Sequence, residues 1–269
     1  MPNFSILLPS AGPKAEGGNP FAPDMFDYRS SNTFNYFHAL NTDRRHLIDS
    51  LQKAISDGLE DPSAVLGPIP EGGTDWLEVN RQIYAAPLMS ALDRYGPGVM
   101  YKAMDFPGLP TGAQRRLLEE GVIISGLFGL LRPDDLIPPY LLGVTGNVPG
   151  VGPALDYWKP KIAKPLDETV KGRLVWNLLT PEHEALWENG MTYKAMVKVT
   201  FSRNVKGEMT RVEDQIPLRG RLVNFIVRET LEDVEPLLSW RHPDGYTYDE
   251  GRSSYDSKTK THHIAMVRH

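Results

Sequence analysis

Gly121-Val122-Ile123-Ile124-Ser125-Gly126-Leu127-Phe128-Gly129-Leu130-Leu131 is apolar nearly throughout, β-branched at its start, and broken at Arg132-Pro133. A continuous apolar run of this kind reads as a central strand buried on both faces. Working outward, Phe4-Ser5-Ile6-Leu7-Leu8 reads as a second short buried strand, ending where Pro9-Ser10-Ala11-Gly12-Pro13-Lys14 forces a turn. Residues 174–179 and 196–201 supply two further strands, and Arg211-Val212-Glu213 can pair with the latter across Lys206-Gly207. Between them, 43–58 carries Leu47, Leu51, Ala54 and Ile55 at helical spacing. Helix is also expected over 74–92 with a break near Pro87, from a Thr111 cap to Gly121, and over 218–231. Residues 16–35, rich in Gly, Pro, Asn and Ser, read as an irregular surface excursion. The expected fold class is therefore α/β (mixed α+β): one compact domain spanning 1–269, with a central mixed sheet flanked by helices.

Composition narrows the function classes. The chain has 269 residues, 41% hydrophobic and 23% charged, ordinary globular values that leave room for one sizeable core. No stretch approaches about 18 consecutive apolar residues and the N-terminus lacks a basic leader, so a cytoplasmic protein without a membrane partner is expected. With no cysteine, disulfides, thiolate metal sites and cysteine nucleophiles are excluded. The formal charge of −5 argues against coating nucleic acid by bulk electrostatics and leaves a local basic cleft open.

From Ser125 to Tyr140 the chain runs Ser-Gly-Leu-Phe-Gly-Leu-Leu-Arg-Pro-Asp-Asp-Leu-Ile-Pro-Pro-Tyr. This resembles the signature of the YaaA peroxide-stress protein family, in which an apolar strand runs into a Leu-Arg-Pro turn, an Asp and a Pro-Tyr. Supporting pieces are Pro9-Ser10 with Lys14 beyond, Pro149-Gly150-Val151-Gly152-Pro153 leading to Tyr157-Trp158, Asn177-Leu178 with Glu182, Arg219-Gly220, and Gly245-Tyr246. The resemblance implies a mixed α/β fold with a basic cleft, DNA binding, and a part in limiting iron-dependent damage under peroxide stress. Three positions depart from the pattern. Leu141 stands where the family usually has Arg, Ile216-Pro217 stands where it has one or two lysines, and the first loop reads Ala11-Gly12-Pro13-Lys14 where its actinobacterial-looking version carries a Glu before a Gly-Lys.

The candidate site residues each carry two readings. Arg132 and Arg219 are anion-binding arms, or else a turn-locking partner of Asp134 or Asp135 and a helix-surface ion pair. Lys14, beside Ser10, has the access to hold an anion but no phosphate-loop pattern surrounds it. Gly150 and Gly152 resemble the hairpin of a helix-hairpin-helix element that presents N–H groups to a DNA phosphate, or are simply a turn that starts a helix. Tyr140 and Asp135 are proton-transfer candidates if the chain is an enzyme, and otherwise a core tyrosine and a capping aspartate. Ser10, Ser125 and Thr180 lack a local nucleophile signature, and His262-His263 lacks a third metal ligand, so no metal and no cofactor is expected. Together these give a cleft of Ser10, Lys14, Arg132, Tyr140, Leu141 and Arg219 that binds DNA or another polyanion in oxidative-stress protection. The alternative is an enzyme for a small anionic or nucleotide-like metabolite using the same cleft; an acidic protein partner is a third reading.

Overall fold

The structure, a computed structural model, describes residues 3–19 and 36–269. Most of the expected excursion at 16–35 lies outside them. Among the described residues nine strands form one mixed sheet: β1 (Phe4–Pro9), β2 (Gly121–Ser125), β3 (Gly129–Leu131), β4 (Leu174–Asn177), β5 (Ala195–Val205), β6 (Glu208–Arg211), β7 (Thr247–Tyr248), β8 (Ser254–Asp256) and β9 (Thr261–Arg268). The order β7-β9-β5-β4-β1-β2-β3 has β6 pairing with β5 and β8 with β9. Its centre, β9-β5-β4-β1-β2, is parallel, and the edge partners are antiparallel. The fold is the mixed α/β architecture expected from sequence.

β1 sits at the middle with all six residues buried, which is why its sequence shows no polar alternation. Among the helices of the described residues are α1 (Asn41–Asp57), α2 (Val99–Met104), α3 (Thr111–Glu120), α4 (Ala154–Val170), α5 (Pro181–Glu184) and α6 (Ile216–Glu229). Helices α3 and α4 both pack on β1, and α6 packs against α2 and α3. The α2–α6 approach is close enough that a Cβ on Gly220 would meet Met100 O at 2.3 Å. Among the described residues no helix is long and apolar enough to cross a membrane.

Several expected elements are corrected. The run 122–131 is two antiparallel strands, because Ser125 Oγ accepts from the N–H groups of Leu127 (3.3 Å) and Phe128 (3.2 Å) and bends the chain into a hairpin. Gly129 at φ +69° completes the reversal, with the Trp158 ring 2.8 Å from where its Cβ would be. In 74–92 only Trp76–Arg81 and the short Ala91–Arg94 turn are helical, the first capped by Asp75, and Met89–Ser90 instead pairs with Leu136–Ile137. Thr111 is the first residue of α3 and caps nothing. β4 stops at Asn177, whose Oδ1 accepts from Leu179 N (3.2 Å). α4 stays continuous through Pro160 and Pro165, a length no breaker rule would assign.

Candidate functional site

Ligands of open α/β sheets collect at the carboxyl ends of parallel strands, and here that edge holds a cleft. The β1–β4 register pairs Leu7 with Asn177. Ser10 and Thr180 therefore each lie three residues beyond a matched pair and face one another across the sheet's end. Three adjoining cavities meet at Thr180. One, of about 420 Å³, is walled by Leu141, Leu142, Val144 and Pro68 with Ser10, Lys14 and His183 among its polar groups. A second of about 240 Å³ runs toward Val99, Tyr101 and Asp214, and a third of about 410 Å³ toward Arg211, Glu213 and Arg219.

The loop after β1 is fixed from several sides. Ser10 N donates to Ile124 O at 3.0 Å, extending the parallel ladder by one residue, and Tyr101 Oη donates to Pro9 O at 2.9 Å. The buried Arg94 guanidinium donates to Ala15 O, to Gly17 O (3.1 Å) and to Pro87 O (2.8 Å), pinning the loop's far side. Lys14 then turns inward. Its Nζ donates to Ala11 O (2.5 Å) and Gly12 O (2.9 Å) and stands 4.5 Å from the Tyr140 ring centroid and 5.3 Å from that of Tyr95. Burial, and secondarily the Arg94 charge, lower its pKa from an ordinary 10.5 to about 7. Two carbonyls and two ring faces surround the amine, and neither kind of neighbour supplies the full negative charge that would hold it protonated.

On the facing side, α5 begins where β4 has just ended. Thr180 is its N-cap, accepting from His183 N at 3.4 Å. The imidazole folds back over this cap: Nδ1 lies 2.8 Å from Thr180 Oγ1 and Nε2 3.2 Å from Ser10 Oγ. Burial lowers the His183 pKa to about 4, against a smaller opposing pull from Glu182. The ring is therefore neutral at pH 7.

The sequence-derived candidates divide between this cleft and other places. Ser10, Lys14 and Leu141 line the first cavity, and Arg219 the third. Arg219 is committed to the protein, donating to Leu179 O (2.6 Å) and Leu178 O (3.4 Å). Tyr140 is buried beneath Lys14, in hydroxyl contact with Tyr95 (2.5 Å) and Ser125 (2.7 Å), and burial lifts its pKa to about 12. Arg132 does not join Arg219 in one cavity. Its guanidinium donates to Gly121 O (3.1 Å) at the amino end of β2 and lies over the Tyr36 ring. The hairpin explains this: β3 runs back antiparallel to β2 and delivers Arg132 to the opposite edge of the sheet. The expected side-chain pair of Arg132 with Asp134 or Asp135 does not form: it is the backbone N–H of Arg132, with that of Tyr36, that fixes the turn by donating at 2.8 Å each to Asp135. Its pKa is raised to about 6 by burial. Gly150 and Gly152, at φ +81° and +100°, form the turn of a small ribbon (Asn147–Val148 with Gly152–Pro153) leading into α4. The residues before it, 141–146, are not helical, so no helix-hairpin-helix forms. Of the expected cleft of Ser10, Lys14, Arg132, Tyr140, Leu141 and Arg219, Ser10, Lys14 and Leu141 line the first cavity with Thr180 and His183, Arg219 lines the adjoining third, Tyr140 lies beneath Lys14, and Arg132 lies elsewhere.

His183 was missed by sequence reasoning. The available signal was Thr180-Pro181-Glu182-His183 directly after a buried strand, a cap and first-turn pattern that fixes a helix start on the sheet's carboxyl edge. Among the described residues no group of three or more His, Asp or Glu side chains could hold a metal ion.

Comparison with known proteins agrees with the sequence resemblance. Residues 15–252 match the family described as "Peroxide stress protein YaaA". Relatives include a UPF0246 protein of Streptomyces coelicolor, 29% identical over 184 residues, covering 68% of this chain and 66% of the relative. A UPF0246 protein of Finegoldia magna is 31% identical over 163 residues, covering 58% and 62% respectively. The matched stretches thus span just under two thirds of these relatives' length. The chain belongs to the YaaA peroxide stress protein family.

Proposed function

We propose that the chain acts in the cytoplasm as an enzyme-type protein whose cleft takes a small molecule with an anionic or carbonyl group and an apolar body, in place of a nucleic-acid duplex. The observation that carries this reading is the state of the cations. A polyanion groove needs exposed, fully charged Lys and Arg to displace counterions. Here Lys14 is held near neutrality and Arg219 is tied to two carbonyls, which leaves Arg211, at the far end of the third cavity, as the exposed cation among the described residues lining the cleft. The cavities also carry Glu182, Glu213 and Asp214 at their rim. An amine near neutrality, a neutral imidazole and a hydroxyl against a wall of Leu141, Leu142 and Val144 suit a ligand that is polar at one end and apolar at the other. Lys14 is the group that accepts the ligand's polar end, and Leu141, in the position where a family-type Arg would face phosphate, gives apolar contact.

The test is a pair of titrations. NMR titration with a panel of short- and medium-chain monocarboxylates and nucleoside monophosphates is expected to shift resonances of Lys14, Leu141 and His183 saturably, and to lose the shift in Lys14→Met. A duplex oligonucleotide titrated at low and moderate salt is expected to give no saturable binding. Micromolar duplex binding that weakens steeply with salt and requires Lys14 would overturn the reading in favour of the polyanion groove.

A further inference from the structure

We propose that Ser10 is a nucleophile, activated by His183, for acyl transfer from small esters or thioesters with an apolar acyl chain. The inference rests on reading the cleft as a small-molecule site and adds a reaction to it. Its basis is the contact geometry of three side chains that the ends of β1 and β4 bring together. Thr180 Oγ1 accepts from His183 N and lies 2.8 Å from Nδ1, which holds the imidazole against the helix cap. With the ring proton on Nδ1, bonded to Thr180, the Nε2 lone pair faces Ser10 Oγ at 3.2 Å, the arrangement a general base needs before it takes a hydroxyl proton. Thr180 is a positioning residue in this arrangement: it orients the ring, a role that a buried carboxylate fills in serine hydrolases of other folds.

The surroundings fit the same chemistry. Ser10 is the first residue past a central parallel strand, on a turn whose backbone is fixed by Ile124, Tyr101 and Arg94. The adjoining apolar wall accommodates an acyl chain. In the first half-reaction Ser10 Oγ bonds to the carbonyl carbon while its proton passes to His183 Nε2. The carbonyl–leaving-group bond then breaks, and the alcohol or thiol departs with that proton. In the second half, water attacks the acyl-serine and gives a proton to Nε2. The carboxylic acid is released and the proton returns to Ser10 Oγ. No oxidant or cofactor is consumed.

The test uses the full chain and a fluorophosphonate, which phosphonylates activated serines and needs no knowledge of the substrate. A single adduct is expected, mapped to Ser10 by peptide mass and absent in Ser10→Ala. His183→Ala should slow labelling at least about 100-fold, the scale of a lost general base. Thr180→Val, with the fold checked by circular dichroism, should slow it while displacing the low-pH inflection of the labelling rate, which a merely structural role would leave in place. No adduct on the folded wild type, an adduct elsewhere, or equal labelling in His183→Ala overturns the nucleophile. The two readings fail separately: carboxylate binding without labelling removes the nucleophile and keeps the cleft, whereas Ser10 labelling with salt-sensitive duplex binding removes the small-molecule assignment.

Discussion

Replacing Lys14 by methionine should make the protein more stable, and the gain should depend on pH in a defined way. The perturbation keeps the length of the side chain and its contact with the Tyr140 and Tyr95 rings while removing the ammonium. Lys14 has its folded pKa at about 7 against an ordinary 10.5. Between those values the unfolded chain binds the extra proton, so wild-type stability from this group rises with pH across about 7 to 10.5 and is constant and lowest below it. That interval, at ~1.4 kcal/mol per pH unit, sets an upper bound of about 5 kcal/mol, since the residue keeps part of its surface in water. The two carbonyl hydrogen bonds and the cation–ring attraction that go with the ammonium offset about 1–3 kcal/mol of that. The expected net gain is on the order of 2 kcal/mol at pH 6, shrinking through pH 8 and 9.5. Urea denaturation of both forms at those three pH values measures it. A Lys14→Met variant that is less stable than wild type at pH 6, or a difference that does not change with pH, would refute the claim that the ammonium is held against its solvation preference. Such a group is retained at a cost to stability, the usual mark of a functional residue.

Two further substitutions check the frame around the cleft. Tyr140→Phe removes the hydroxyl that bonds Tyr95 and Ser125 in the core; we expect a loss of about 1–2 kcal/mol in chemical denaturation, with the fold intact because Ser125 still holds the 126–128 bend. Arg173→Met strips the partner from Glu120, which is 3% exposed, and should cost about 3–5 kcal/mol, read as a lowered midpoint, while the double variant with Glu120→Leu should recover most of it.

The sheet was legible in sequence wherever both faces of a strand are buried, because such strands show as unbroken apolar runs. Phe4–Leu8, Val122–Ile124 and Leu174–Asn177 are of that kind. The bend inside the longest run was not legible. Ser125 and Gly126 are compatible with a strand taken alone; the Ser125 side-chain bonds that turn the chain at 126–128, and the close approach of Leu142 O, 2.5 Å from where a Gly126 Cβ would lie, show only in the folded chain. β9, parallel to β5 over Thr261–Arg268, was also missed, since His262-His263 interrupts its apolar character and its partner lies far earlier in the chain. In the 74–92 segment helical periodicity lost to long-range pairing of Met89–Ser90 with Leu136–Ile137.

The same bend decides which sequence-derived residues could form a site. Had 122–131 continued as one parallel strand, Arg132 would emerge at the carboxyl edge beside Lys14, and a cleft with free guanidinium groups would result. The reversal at 126–128 sends Arg132 to the amino edge, where it closes the turn on Gly121 O. It also places Ser125 under the cleft floor, bonded to Tyr140, which in turn presents its ring to Lys14. One local event therefore removes a cation from the carboxyl edge and builds the apolar floor beneath Lys14, whose pKa burial lowers. The β1–β4 register then brings Ser10, Thr180 and His183 into hydrogen-bond contact at that edge, which is the geometry on which the proposed proton transfer rests.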